Sequence, residues 1–269
     1  MNSIRMILII LILVSLTSCE PGKNLSKNVP AYSELNDPTL LKAVLWHQTS
    51  GEYRALCHQA YNLARLRLLE DLKNDHKSKP AIIADIDETV LDNSAYNATV
   101  IIKRIKYPED FYHWIETSQA IPMPGAVEFY KYASEQGYEI FYITNRRTKG
   151  RKGTIRNLQK YGFPFADEQH VFFKEDVSSK EPRRNLIAEN HEVVLILGDN
   201  LIDFTDVFDG QSLEERNRSV EELSDNFGSK FIIFPNTMHG AWLKALYNYQ
   251  KGLSTEELLN LEVSKLRTF

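Results

Sequence analysis

The sequence predicts an α/β fold with a parallel sheet at its centre and helices on both faces of that sheet. Short apolar runs without polar alternation recur along the chain, which is typical of strands buried on both faces. Between these runs lie stretches with apolar residues at spacings of three and four, which is typical of amphipathic helices. The alternation of the two kinds of segment indicates parallel strands joined by crossover helices.

The composition is that of a globular protein with a small-molecule ligand. Of the 269 residues, 43% are hydrophobic and 25% are charged. These fractions are close to the averages of about 45–50% and about 25% for soluble domains, so the chain can fill a core. The formal net charge of −4 argues against a nucleic-acid polymer as partner, because proteins that bind one concentrate positive charge. We therefore expect a small-molecule site.

Residues 1–18 have the pattern of a bacterial lipoprotein signal peptide. Arg5 is the only charged side chain before an apolar run from Met6 to Val14, and this run is shorter than the ~20 residues of a membrane-spanning helix. The following Leu16-Thr17-Ser18-Cys19 resembles a lipobox, in which the peptide is cleaved before the cysteine and the thiol is lipidated. We expect Cys19 to anchor the mature chain in the bacterial envelope, on the outer membrane, with residues 19–32 as a lipidated tether.

Two amphipathic helices are expected next. Apolar residues recur at helical spacing over 40–45 and again over 53–68, and the two patterns meet near Ser50-Gly51. Cys57 lies in the second pattern, and it has no partner for a disulfide if Cys19 carries lipid. A buried, unreactive thiol is therefore expected at Cys57.

Five apolar runs predict the strands of the sheet, and they are Ala81 to Ala84, Tyr138 to Ile143, Val171 to Phe173, Val193 to Leu197 and Phe231 to Phe234. Helical patterns lie near 124–136, 151–161, 180–190 and 213–227. A last helix is predicted to begin at Ser254, because Ser254 and Glu257 have the spacing of a capping box.

The stretch 93–122 interrupts this alternation. It is rich in aromatic residues, namely Tyr96, Tyr107, Phe111, Tyr112 and Trp114. We predict a small, mainly helical cap formed by about 33–75 and 93–122, over a core formed by about 76–92 and 123–250. Residues 33–269 would then be one domain.

Polar side chains follow three of the predicted strands, and they are Asp85 and Asp87, Thr144 and Asn145, and Asp199 and Asp203. Because the carboxyl ends of parallel strands meet at one edge of a sheet, we expect these side chains to converge. Four aspartates in one crevice repel each other unless a cation lies among them. Oxygen ligands suit a hard divalent ion, so Mg²⁺ is expected.

A calcium loop of the EF-hand type is the nearest alternative for the first of these segments, since Asp85-x-Asp87-x-Thr89 begins in the same way. Val90 stands where the loop needs glycine, and Tyr96 stands where it needs a bidentate glutamate. The sequence therefore excludes an EF-hand.

Three segments, DIDET at 85–89, ITNR at 143–146 and GDNLIDF at 198–204, resemble the motifs of the haloacid dehalogenase superfamily. With aspartates at positions 85, 87, 199 and 203, the chain resembles the class C acid phosphatases, bacterial surface lipoproteins of the lipoprotein e type. The likeness extends from WHQTSGEY at 46–53 to Trp242, and the lipobox agrees with it. Any one motif occurs by chance, but the ordered set is specific. The resemblance implies a haloacid-dehalogenase-like, Rossmann-like fold.

The resemblance also implies a reaction, the hydrolysis of phosphomonoesters, including nucleoside 5′-monophosphates, through an aspartyl phosphate. Asp85 would attack phosphorus, and Asp87 would protonate the leaving oxygen and later activate water. The metal ion would lie between Asp85, the backbone carbonyl of Asp87 and Asp199, while Asp203 supports the site from nearby.

Phosphate binding is implied for Thr144 and Asn145, whose hydroxyl and amide would bind phosphoryl oxygens. The family also has a lysine that neutralises phosphate, and both Lys174 and Lys180 lie between the second and last motifs. Lys180 follows Ser178-Ser179 at the start of a predicted helix and is the better match.

Simpler interpretations stay open for some of these residues. Asp87 and Thr89 can merely cap the turn after the strand, and Asp203 can simply begin a helix. The basic run that starts at Arg146 and includes Arg147, Lys149, Arg151 and Lys152 can attract an anionic substrate, but a solvated loop is expected.

Three aromatic residues, Trp46, Trp114 and His239, are candidates for stacking on a nucleotide base. Trp46 and Trp114 can equally belong to the core. His239 stands where family members often carry an aromatic ring, and its ordinary pKa of about 6.5 would charge it in acid. The alternative function is a non-catalytic ligand-binding or adhesive surface lipoprotein on the same fold. The aspartate pair Asp85 and Asp87 favours an enzyme, and no feature of the sequence specifies an oligomeric state.

Overall fold

The computed structural model describes residues 31–103, 105 and 107–269. Its seven strands among these residues are β1 (Lys79–Ala84), β2 (Leu91–Asp92), β3 (Ile121–Pro122), β4 (Glu139–Arg147), β5 (Val171–Lys174), β6 (His191–Gly198) and β7 (Phe231–Ile233). Five of them form a parallel sheet in the order β5-β4-β1-β6-β7. This confirms the predicted parallel α/β fold.

The register of the sheet places the carboxyl ends of its central strands, β4, β1 and β6, side by side. Ile83 of β1 is opposite Phe141 of β4 and Ile196 of β6. Beyond the end of β1, the backbone N–H of Asp85 still donates to the carbonyl of Leu197 at 2.9 Å. The residues that follow β1 and β6 therefore leave the sheet side by side at its carboxyl edge.

Ten α-helices lie among the described residues, and they are α1 (Leu41–Thr49), α2 (Gly51–Asp71), α3 (Ser94–Ile102), α4 (Glu109–Thr117), α5 (Ala126–Glu135), α6 (Arg151–Lys160), α7 (Glu181–Ala188), α8 (Leu213–Glu222), α9 (Ala241–Leu246) and α10 (Thr255–Ser264). Ser50 and Ser254 cap α2 and α10 through their side chains, and Ser254 forms the predicted capping box with Glu257. No helix in the described part of the chain is long and apolar enough to cross a membrane.

Helix α2, which the predicted cap of 33–75 includes, packs against the sheet. Its apolar stripe, which includes Tyr53, Cys57, Tyr61 and Leu68, is buried in the same cluster as the sheet residues and α5. Helix α7 covers the other face through Ile187. Burial raises the pKa of the Cys57 thiol to about 12, so this thiol stays protonated and unreactive.

The insert at 93–122 lies over the carboxyl edge of the sheet. Strands β2 and β3 pair antiparallel at its base, with α3 and α4 between them. A small apolar cluster of Val44, Ile101 and Met238 joins α1 and α3 to the segment that precedes α9. Helices α1 and α3 are therefore packed together at the insert.

Candidate active site

The three sequence motifs meet at one cavity of about 580 Å³ at the carboxyl edge of the sheet. The predicted site residues that line it are Asp85, Asp87, Asn145, Lys180, Asp199, Asp203 and His239. Thr144 is fully buried on β4 directly beneath them. The fold thus brings together residues that are far apart in the sequence.

A carboxylate cluster forms the floor of this cavity. Asp85, Asp199 and Asp203 each offer an oxygen, and these oxygens all lie within 4.8 Å of one another. Asp203 lies inside this cluster rather than behind it. Its close approach needs a glycine at position 198, because a Cβ there would lie 2.6 Å from the Asp203 Cβ.

Lys180 is the cation of the cluster. Its side chain is 4% exposed, and its ammonium forms ion pairs with Asp85 and with Asp203, the latter at 2.7 Å. Lys174, the alternative in the sequence, instead donates to the Ser178 hydroxyl at 2.5 Å. The structure therefore places Lys180, and not Lys174, against Asp85.

Negative charge exceeds positive charge in this cluster. Burial, against the opposing charge of Lys180, and the neighbouring carboxylates raise the pKa of Asp85 well above its ordinary value. Burial and Asp203 raise the pKa of Asp199 to about 7. Three carboxylates share one ammonium, so a divalent cation with oxygen ligands fits the donor set.

Asp87 faces a different partner. Arg146 donates to its carboxylate from Nε at 3.0 Å and from a terminal nitrogen at 2.7 Å. Asn93 and the Thr144 hydroxyl donate to the same carboxylate at 2.8 Å and 3.2 Å. Although burial acts to raise it, Arg146 holds the pKa of Asp87 below its ordinary value.

Comparison with known proteins identifies this arrangement. Residues 22–242 match the family described as HAD superfamily, subfamily IIIB (acid phosphatase). The class C acid phosphatase from Bacillus anthracis is 42% identical, with a TM-score of 0.82 over 86% of this chain and 98% of that one. Its crystal structure with tungstate bound gives 42% identity and a TM-score of 0.83 with the same coverage. The chain belongs to the HAD subfamily IIIB acid phosphatases.

Family membership makes the chain a phosphomonoester hydrolase. This sets aside the alternative of a non-catalytic ligand-binding or adhesive lipoprotein on the same fold. The recognition of the family from its motifs and the haloacid-dehalogenase-like fold are both confirmed.

Arg146 of the acid phosphatase corrects one expectation. The basic run was expected to be a solvated loop, but Arg146 is 3% exposed and binds Asp87. A terminal nitrogen of Arg146 also donates to the Thr154 hydroxyl at 3.0 Å, which fixes the guanidinium from behind. Arg146 therefore belongs to the site.

Trp114 and Trp46 do not line the cavity that holds Asp85. The indole of Trp114 donates to the Asn93 side-chain oxygen at 2.9 Å, so the Asn93 amide nitrogen points to Asp87. Trp46 packs edge-on against Tyr53 at the margin of the core. In this structure the two tryptophans are supports, and neither is in place to stack on a ligand of that cavity.

His239 lines the cavity as an ion-paired side chain. Its Nε2 lies 2.8 Å from the buried carboxylate of Glu88. Burial opposes the charge of the ring, but Glu88 and the nearby aspartates raise the pKa of His239 to about 9. The ion pair with Glu88 therefore favours the charged form of the ring at neutral pH.

Two further residues hold predicted site residues in place, although the sequence did not single them out. Asn236 donates to Asp199 at 2.7 Å. Arg183 donates to the Thr144 carbonyl at 2.7 Å and to the Asn145 side-chain oxygen at 2.8 Å. Because the Asn145 oxygen is taken, its amide nitrogen is left to donate to a ligand.

Proposed function

We propose that this acid phosphatase is an Mg²⁺-dependent hydrolase of nucleoside 5′-monophosphates that is anchored to the bacterial envelope through Cys19. The observation that supports the chemistry most directly is that two aspartates with different partners line the same cavity. Asp85 lies in the cluster with Lys180, while Asp87, two residues on, is held by Arg146. This separation suits one nucleophile and one acid–base group.

The first step transfers the phosphoryl group to the enzyme. A carboxylate oxygen of Asp85 forms a bond to phosphorus as the bond from phosphorus to the ester oxygen breaks. Asp87 in its protonated form gives its proton to that leaving oxygen, and the alcohol departs. The Lys180 ammonium and the Asn145 amide stabilise the negative charge of the phosphoryl oxygens.

The second step regenerates the enzyme. Asp87, now a carboxylate, takes a proton from water as the water oxygen attacks phosphorus. The bond between phosphorus and Asp85 breaks, so inorganic phosphate is released and the Asp85 carboxylate is restored. Arg146 stabilises the carboxylate form of Asp87 that this step needs.

Asp85, Asp199 and Asp203 would hold the metal ion, and the family resemblance adds the backbone carbonyl of Asp87. When bound, Mg²⁺ would neutralise charge shared by the phosphate and the carboxylates. The related Bacillus anthracis enzyme has been crystallised with tungstate, a tetrahedral oxyanion with the charge of a phosphate dianion. Binding of tungstate in competition with the substrate phosphate is therefore expected for this chain.

Removing divalent metal is expected to lower phosphate release by about 10²-fold or more, because charge compensation of the phosphoryl group is lost. The measurement is phosphate release from a panel of monoesters in Mg²⁺ and in excess chelator. Asp199→Asn should raise the Mg²⁺ concentration needed for half-maximal rate. An unchanged rate in chelator would contradict the metal requirement. If no ester released phosphate, the whole proposal would be contradicted.

Nucleotide preference is supported by an aromatic wall of the cavity. Tyr96, Tyr107 and Phe111 line it on the side of the cap, and the rings of Tyr96 and Phe111 lie 5.0 Å apart. An aromatic ring that stacks on a base contributes roughly 1–3 kcal/mol. We assign base stacking to these rings and to His239, since Trp46 and Trp114 do not line this cavity.

Phe111→Ala is expected to lower kcat/KM for adenosine 5′-monophosphate by about 5- to 150-fold, because it removes this stacking. The same change should leave glycerol phosphate nearly unaffected, and His239→Ala or His239→Tyr should also shift the preference. Equal kcat/KM for the nucleotide and for glycerol phosphate in the parent enzyme would refute base stacking.

The anchor lies outside the described residues and rests on the sequence. Cys19→Ala is expected to give a soluble or uncleaved product, since each buried methylene of an acyl chain contributes ~0.8 kcal/mol to membrane binding. Fractionation of cells that make the parent and the variant measures this. A variant that is cleaved correctly and still sediments with membranes would rule out the lipid anchor.

A further inference from the structure

Asn93 connects Asp87 to the helical insert. It lies between β2 and α3, and it is buried. Its backbone is fixed, since its N–H donates to the Glu88 carboxylate at 3.0 Å and its carbonyl accepts from the N–H of Asn97 at 3.1 Å. The side-chain nitrogen of Asn93 donates to Asp87 Oδ1 at 2.8 Å, and its side-chain oxygen accepts from Trp114 Nε1 at 2.9 Å. A path of hydrogen bonds therefore runs from Trp114 on α4 to Asp87.

The partners of Asn93 permit only one orientation of its amide group. The indole N–H of Trp114 and the guanidinium of Arg146 can donate but cannot accept a hydrogen bond. Both lie against the same side-chain atom of Asn93, with the terminal nitrogen of Arg146 at 3.3 Å. This atom must therefore be the amide oxygen, so the amide nitrogen faces Asp87 and can only donate to it.

The two carboxylate oxygens of Asp87 have different surroundings. Oδ1 accepts from Asn93 at 2.8 Å and from a terminal nitrogen of Arg146 at 2.7 Å, and these two donors use both of its lone pairs. Arg146 Nε lies between the two oxygens, 3.0 Å from Oδ1 and 3.2 Å from Oδ2, and the Thr144 hydroxyl lies 3.2 Å from Oδ2. The Asp87 side chain is 22% exposed and lines the cavity. Oδ2 is therefore the oxygen that has capacity left for a proton.

We propose that Asn93 and Trp114 are positioning residues that keep the catalytic proton on Asp87 Oδ2. The two donors on Oδ1 exclude a proton from that oxygen, and they also stop the carboxyl group from rotating about its bond to Cβ. Trp114 does not line the cavity, so it acts by holding Asn93. This inference rests on the proposed function, in which Asp87 protonates the leaving oxygen, and it adds which oxygen of Asp87 gives the proton.

Packing of the insert is the competing explanation for this path of hydrogen bonds. A loss of packing displaces the wall of the cavity, so it slows the reaction of every ester. A misplaced proton instead slows only those esters whose leaving oxygen needs a proton. The phosphorylation of Asp85 by an alkyl phosphate and by 4-nitrophenyl phosphate therefore distinguishes the two explanations.

The test measures the rate of that phosphorylation in single turnovers, by rapid quench at saturating Mg²⁺. Asn93→Leu keeps the size of the side chain but removes the donor, and it is expected to lower the rate with glycerol phosphate by about 10- to 100-fold. The rate with 4-nitrophenyl phosphate should change less than about threefold, because the nitrophenolate leaves without a proton. Trp114→Phe keeps an aromatic ring and should lower only the glycerol phosphate rate, by about three- to tenfold with KM unchanged. Trp46→Phe is the matched control and should keep both rates, since Trp46 packs at the margin of the core, outside this path.

The double variant Asn93→Leu/Trp114→Phe tests whether Trp114 acts through Asn93. If it does, the double variant should be no slower with glycerol phosphate than Asn93→Leu alone. Losses that multiply in the double variant would overturn the path.

Asp87→Asn separates a failure of this inference from a failure of the proposed function. If Asp87→Asn slows glycerol phosphate selectively, whereas Asn93→Leu and Trp114→Phe slow both esters equally or neither, the positioning role is wrong and the proposed acid stands. If Asp87→Asn itself shows no selectivity, Asp87 is not the acid and both are wrong. Circular dichroism checks that each variant is folded, and if Asn93→Leu is not, the selectivity of Trp114→Phe decides alone.

Discussion

Asp85→Asn is expected to lower phosphate release by about 10³-fold or more, the largest effect of any single change to the site. The amide is a poor nucleophile, so no covalent bond to phosphorus forms. The amide is also a weaker ligand for a divalent cation than the carboxylate. The measurement is the initial rate on a panel of monoesters at saturating Mg²⁺.

The folded structure should survive this change. Asparagine has the size of aspartate, and its oxygen still accepts from Lys180. The substitution also removes one of three crowded carboxylates, so the midpoint of thermal unfolding should be unchanged or higher. Asp75→Asn, in the exposed turn before β1, is the matched control and should keep full activity. A rate for Asp85→Asn within about tenfold of the parent would show that another group is the nucleophile.

The sequence predicts an element of the fold correctly where the residues of that element alone determine its structure. Buried parallel strands need continuous apolar runs, and all five predicted runs are strands of the sheet. Helix α2 was assigned to the cap because an apolar stripe shows that a helix packs on something without showing on what. Only the tertiary structure reveals that this stripe covers the sheet beside α5.

The sequence predicts those site residues that directly follow parallel strands, because the carboxyl ends of such strands meet at one edge of the sheet. That rule placed Asp85, Asp199 and Asp203 together, as the structure does. The sequence does not indicate Arg146 as a site residue, because Arg146 begins a run of cations and most such runs are solvated. One signal was present: Thr144 and Arg146 are two residues apart on a strand, so they share a face. The supporting role of Trp114 depends on Asn93 and has no signature in the sequence.

The surroundings of Asp87 determine how the second catalytic aspartate works. Arg146 lowers the pKa of Asp87, so the carboxylate form predominates at neutral pH. The protonated form, which the leaving oxygen needs, becomes more populated as the pH falls toward that lowered pKa. Because the pKa of Asp85 is raised, Asp85 would be protonated first unless a divalent cation bound beside it keeps it ionised. In excess Mg²⁺, esters with a poor leaving group should therefore gain more from acid than esters with a good one.

Asp87→Asn is expected to slow hydrolysis of an alkyl phosphate by about 10²- to 10⁴-fold, because the leaving alkoxide no longer receives a proton. The amide oxygen still accepts a hydrogen bond from Arg146. The loss of rate therefore measures the missing proton donor rather than a change in packing. With 4-nitrophenyl phosphate the leaving phenolate needs no proton, so Asp85 should still be phosphorylated. The second step lacks its base, so stopped-flow should show a burst of nitrophenolate followed by a slow phase. Equal losses for both esters with no burst would show that Asp87 acts by position alone.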